Sequence, residues 1–187
     1  MTGPGRRRHL LAATVMLLGA GLSAAEVFVP DKARSRIAVD ARATNHSFTG
    51  ILTAYDLRIE GRDGSAEPTR VELKWDFKHL DTADKKRNRN MLKWLEHART
   101  PTGSFVMTKW IRDAKGRTFS RGKITIHGVT REVTFPCTIR REGHSLTASG
   151  IAVLNYKDFG LPIIRQLAIL TVKPELRISF RLVGTAK

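Results

Sequence analysis

Val71-Glu72-Leu73-Lys74-Trp75-Asp76-Phe77-Lys78 alternates an apolar with a charged residue over eight positions. Side chains on a strand point alternately to opposite faces, so this pattern puts four hydrophobes on one face and four charges on the other. It reads as one half-buried antiparallel strand. The same period appears in Ile37, Val39, Ala41 and Ala43, and in Tyr55, Leu57 and Ile59. It returns over residues 104–111, 117–127, 131–141, 144–154 and 168–183. Turns fall between runs at Arg62-Asp63-Gly64-Ser65, Asp113-Ala114-Lys115-Gly116, His127-Gly128 and Glu142-Gly143. Eight strands in series, several joined by short turns, predict an all-β fold. An up-and-down barrel of eight antiparallel strands is favoured, because closure removes exposed edges. Pro136 has no N–H for a ladder, which puts its strand at an edge, a bulge or a seam.

One stretch breaks the period. Met91, Trp94, Leu95 and Ala98 recur at three- and four-residue spacing, which predicts an amphipathic helix over about 83–98 inserted between two strands. Asp81 or Thr82 can cap its start and Thr100-Pro101 ends it. The helix carries Lys85, Lys86, Arg87, Arg89 and Lys93, and beside a barrel it reads as a lid or plug.

The chain has 187 residues, 33 Lys and Arg against 17 Asp and Glu, and one cysteine. It is a single domain after its leader. A lone Cys137 excludes a disulfide within the chain and a Cys-rich metal site; its parity with Val133, Phe135 and Ile139 makes it a small core residue. Arg6-Arg7-Arg8, the uncharged run Leu10–Leu22 and Ser23-Ala24-Ala25 have the three parts of a secretory signal peptide. The run is shorter than the roughly 20 residues that span a bilayer. Cleavage is expected after Ala25, which leaves a soluble periplasmic or secreted chain of residues 26–187. Its export weighs against nucleic acid as the anionic partner of so basic a protein.

No G-x-S-x-G, H-E-x-x-H, P-loop or Rossmann fingerprint is present, and His46, His79, His97, His127 and His144 are scattered singly. The expectation is a binding protein, not an enzyme, with no metal and no cofactor. An eight-stranded barrel is either filled by its own side chains or holds one small ligand. Periodicity by itself favours the filled barrel. Inward candidates are Phe77, Phe105, Phe135 and Phe180, with Met91 and Leu95 from the helix.

Four segments together resemble the YceI-like family. They are His46-Ser47-Phe48-Thr49-Gly50; Leu80-Asp81-Thr82 with Arg87-Asn88 and Met91-Leu92; Pro101 with Phe105; and Gly122–Val133, with Lys157-Asp158-Phe159-Gly160-Leu161 downstream. The resemblance implies an extended lipocalin-like barrel whose tunnel holds a polyisoprenoid or its phosphate. By position it implies ligand contacts from His46, Phe48, Arg87, Met91, Leu92, Phe105 and Phe159. A phosphate head is expected near Arg87, Arg89 and Lys93. The pattern is broken at Asn88, where an acid is expected, and at Asn90, where a histidine is expected. Alternatives that stay open are an isoprenoid-quinone chaperone serving a membrane redox protein and a basic surface adaptor for anionic envelope polymers. The oligomeric state, a dimer included, is open as well.

Overall fold

The computed structural model describes residues 25–44, 46–166 and 170–187. The expected leader, up to residue 24, lies outside the described residues, as do residues 168 and 169 of the last expected strand. Twelve strands are present among the described residues: β1 (Ala25–Pro30), β2 (Arg36–Ala43), β3 (Ser47–Leu52), β4 (Asp56–Arg62), β5 (Pro68–Asp76), β6 (Leu80–Asp81), β7 (Thr102–Arg112), β8 (Thr118–Ile126), β9 (Val129–Glu142), β10 (Ser145–Asn155), β11 (Arg165–Gln166) and β12 (Leu170–Ala186). One α-helix, α1 (Lys85–Trp94), lies between β6 and β7.

Eight of these strands close an antiparallel ring in the order β1-β4-β5-β7-β8-β9-β10-β12 and back to β1. β12 makes this geometry work. Its 17 residues, at about 3.3 Å each, are long enough to pair with two different strands along one edge. Its last residues pair with β1, from Pro30↔Gly184 to Phe28↔Ala186. The remainder, Val172 to Arg181, pairs with β2. From β2 the wall continues through β3 to β6, so β12 carries β1 on its last residues and the β2–β3–β6 extension on the rest. The β2 and β12 registers slip between Val172 and Leu176, around Pro174, which has no N–H to give.

The ring therefore has the expected number of strands but not the expected members. β1 and β3 fall outside the eight alternating runs, and β1 completes the ring in the place that alternation gives to β2. Phe77 is not the end of a strand but opens a 3-10 turn, Phe77–His79. Pro136 marks a seam: the β9–β10 ladder stops at Cys137↔Gly150, and β9 from Val129 to Pro136 pairs with β8 alone.

The helix is shorter than its stripe suggested. Its N-cap is Asp84, not Asp81 or Thr82; the Asp84 carboxylate accepts the N–H groups of Lys86 and Arg87 at 2.8 and 2.9 Å. It ends because Glu96 turns left-handed at φ 49°. The N–H of His97 then reaches back to the Leu92 carbonyl and that of Glu96 to Lys93, a Schellman closure. Ala98 is beyond the helix and exposed.

Candidate functional site

The barrel is hollow. A cavity of about 820 Å³ runs through it, and this overturns the filled core that periodicity favoured. Two features of the sequence keep it open. Five inward positions carry little or no side chain: Ala41, Ala43, Gly50, Ala148 and Ala152 all line the cavity. Several aromatic rings also lie along the wall instead of across it. Trp75 is directly opposite Gly103, where a Cβ would come within 2.3 Å of the indole. Phe180 is opposite Gly150, where a Cβ would come within 2.6 Å of the ring. Glycine is the residue that lets a neighbouring ring lie flat on the sheet.

Around the waist, Phe105, Phe135 and Phe180 form a chain of contacts with centroids 5.5 and 5.9 Å apart. One end is closed by Pro68, Val71, Trp110 and Ile139. Cys137 also lines this apolar half, and burial pushes its thiol up to about 12. A thiol so held stays protonated and behaves as a small apolar group.

The exposed residues of the lining all lie at the other end, so the cavity meets water there: His46, Asp84, Lys86, Asn90, Lys93 and Arg165. α1 roofs this mouth. Leu95 is buried in a cluster with Phe77, Tyr156 and Phe159. Trp94 stands edge-on to Tyr156 at 5.1 Å and donates its N–H to the Pro162 carbonyl at 2.9 Å. The 3-10 turn Tyr156–Phe159 is capped by Gly160, φ 75°, and buries Phe159, with Leu161 just beyond it, in the core beneath the helix.

Arg87 is held in place. Its Nε donates to Thr82 Oγ1 at 3.0 Å and Nη2 to the Thr82 carbonyl at 2.8 Å, while the guanidinium lies 4.5 Å above the Phe48 ring. Asn88 is the other strut. Its Oδ1 accepts from Thr82 N and Oγ1, and its Nδ2 donates to Asp81. The amide therefore ties α1 to β6 and does not line the cavity, whereas Asn90 does.

The structure brings His46, Phe48, Phe77, Arg87, Met91, Leu95, Phe105, Phe135, Phe159 and Phe180 to the cavity wall, together with Lys93. Leu92 and Arg89 do not line it. Leu92 packs against the core from outside the lumen and Arg89 is exposed. At the mouth, Lys86 and Arg165 were missed. Lys86 sits one turn from Asn90 and two from Lys93, on the helix edge that faces the opening; Arg165 had no pattern to betray it.

A model of the YceI-like domain matches residues 28–184. The chain belongs to this family. Among solved structures, the YceI-like chain is similar to BcnA of Burkholderia cenocepacia, with TM-score 0.73 and 22% identity, over 84% of this chain and 100% of that one. It is also similar to a polyisoprenoid binding domain from Saccharophagus degradans implicated in plant cell wall breakdown (TM-score 0.66, 15% identity, 86% of this chain and 98% of that one). A UPF0312 protein of Pseudomonas syringae pv. tomato is 25% identical over 162 residues, 81% of this chain and 84% of that protein.

A hydrogen bond between two side chains fastens the roof of this YceI-like barrel. The His97 ring donates from Nε2 to Asp76 Oδ1 at 2.6 Å, joining the segment after α1 to the end of β5. Burial works against the Asp76 charge, but hydrogen bonds from His97 and from the N–H and ammonium of Lys78 outweigh it and hold the carboxyl at about 2, below its ordinary 3.8. A depressed folded-state pKa contributes stability above the unfolded value, and this is lost as pH falls from about 4 to about 2. The parent is expected to melt above an Asp76→Asn variant at pH 7, with the gap closing over that window. A gap that stays constant in thermal melts down to pH 2 sinks the assignment. Among the described residues, no three His, Cys, Asp or Glu side chains cluster as a metal site, and no helix is long and apolar enough to cross a membrane.

Proposed function

We propose that the chain is an exported, periplasmic binding protein that carries or sequesters an isoprenoid lipid, acting by binding and not by catalysis. The observation that carries this reading is the form of the cavity: about 820 Å³, apolar along its length, with a mouth set with Lys86, Arg87, Lys93 and Arg165. That volume lies within the roughly 300–1,000 Å³ of small-molecule sites. Each methylene buried in such a lumen contributes about 0.8 kcal/mol. Among the described lining residues the four cations meet one acid, Asp84, whose carboxylate is engaged with the helix N–H groups. An amphiphile with a long apolar tail and an anionic head, such as a polyprenyl phosphate, matches both halves. The polyisoprenoid binding described for the Saccharophagus degradans neighbour supports the tail; the leader read in residues 1–25 supports export.

The test is native mass spectrometry of the protein purified gently from its host, followed by lipid extraction. A stoichiometric prenyl lipid is expected. A protein that retains none and takes up no added prenyl lipid overturns the reading. Charge reversal at the mouth, Lys86→Glu with Lys93→Glu, is expected to weaken a prenyl phosphate by about tenfold or more and to leave a neutral prenyl quinone nearly unchanged. Equal losses for the two lipids count against a bound anionic head.

A further inference from the structure

α1 carries more positive charge than the cavity uses. Five of its ten residues are cationic and none is acidic. Lys86, Arg87 and Lys93 face the lumen or its rim, but Lys85 and Arg89 do not line it, and both are exposed. Four residues apart, these two stand on one helix face. Much of the basic surface elsewhere is neutralised locally: Arg58 pairs with Glu60, Arg70 with Glu72, Arg112 with Glu67, Arg117 with Asp113 and Arg141 with Glu26. Among the described residues, no ion pair involves a residue of α1. Like charges at i and i+4 destabilise a helix, so Lys85, Arg89 and Lys93 in succession do nothing for the fold.

We propose that the outer face of α1, through Lys85 and Arg89, docks the barrel mouth-first on an anionic lipid bilayer. The inference rests on the carrier reading for its purpose: a chain insoluble in water moves between bilayer and cavity without crossing water only when the mouth faces the membrane. Charge complementarity supplies the attraction, since cations within a Debye length of an anionic leaflet are drawn to it. The apolar residues of α1 cannot add to it. Met91, Leu92 and Trp94 are packed on the protein's own core, and Leu95, the C-cap, is buried in it. Contact is therefore electrostatic and at headgroup level, unlike that of an amphipathic helix that immerses its apolar face. A single-stranded nucleic acid is the poorer match, because the one ring on α1, Trp94, is turned edge-on to Tyr156 and its N–H is committed to Pro162, leaving no stacking platform.

The whole ring lies within residues 25–187, and 84% of this chain matches the full length of the BcnA chain. This span is the one to test, by co-sedimentation with vesicles of phosphatidylcholine with and without phosphatidylglycerol. Binding is expected to the anionic vesicles only, and to fall by about tenfold or more in Lys85→Glu/Arg89→Glu or in molar salt. The milder Lys85→Gln/Arg89→Gln pair is expected to fall in between, with an unchanged melting temperature. Equal binding to neutral vesicles, or no loss on charge reversal, overturns the proposal. So does single-stranded DNA that competes with the anionic vesicles at equal charge. Uptake of a prenyl lipid from detergent separates the two readings. Uptake without vesicle binding overturns docking and leaves the carrier; vesicle binding without uptake does the reverse.

Discussion

Ala152→Trp will leave the barrel folded and reduce its affinity for an isoprenoid chain by a hundredfold or more. Ala152 sits on β10 between the lining residues Ala148 and Leu154, and its register runs Ala152↔Ile178↔Val39↔Gly50 across β10, β12, β2 and β3. All four of these residues line the cavity, so an indole projected from position 152 enters the lumen from the middle of its wall. It meets open space and not packed atoms, which avoids the strain that overpacking brings to a filled core. The chain, however, can no longer thread past it. If the plug denies the ligand even four methylene groups of burial, the loss is about 3 kcal/mol, more than a hundredfold in affinity. Val153, the next residue, is 54% exposed on the outer face, and Val153→Trp is the matched control with no expected effect on uptake. Thermal melts establish that each variant is folded, and titration with a solubilised prenyl lipid reads the affinity. If Ala152→Trp binds as well as its parent, the ligand does not occupy the lumen.

Position 152 also marks where alternation stops being informative. Alternation told which residues face inward, and the structure puts Phe77, Phe105, Phe135 and Phe180 on the lumen side as expected. Alternation does not tell how far a ring projects. That depends on what stands opposite it, and Gly103 and Gly150 become legible only once the register pairs them with Trp75 and Phe180. The alanines at 41, 43, 148 and 152 were visible all along, sharing inward parity with larger residues, and are the one sequence signal for a hollow barrel that could have been weighed. β1 escaped notice because it is apolar on both faces: Phe28 is buried while Val27 and Val29 are exposed, so no alternation marks it. The helix was overextended because its stripe continues in sequence to Ala98, while its true end is set by the left-handed turn at Glu96, a residue with no reputation as a stop. At the mouth, distance in sequence hid the partners. Arg87 could be placed, but not its seat on Thr82 and Phe48, and Arg165 arrives from 78 residues further along the chain.

Phe77→Asp will unfold the protein or bring it close to unfolding at neutral pH. The ring is 5% exposed in the cluster beneath α1, edge-on to Trp75 at 5.9 Å, and packed with Leu95, Tyr156 and Phe159. Removing a buried Phe side chain alone costs about 3–5 kcal/mol. The carboxylate left in its place has no cation assigned to it there, and an unpaired buried charge adds several kcal/mol more. Together these rival the roughly 5–15 kcal/mol by which a whole domain is stable. Phe77→Asn separates the two contributions, since it loses the ring and brings no charge. The sign of the pH response follows from burial. The new carboxyl has its folded-state pKa raised, so the unfolded state takes the charged form more readily, and stability recovers as pH falls. The melting temperature of Phe77→Asp should accordingly rise toward that of Phe77→Asn between pH 7 and pH 5, a window above the one in which Asp76 loses its own contribution. If Phe77→Asp melts within a few degrees of its parent at pH 7, then Phe77 does not pin the roof to the barrel, and the mouth is held by the struts at Thr82 and His97 alone.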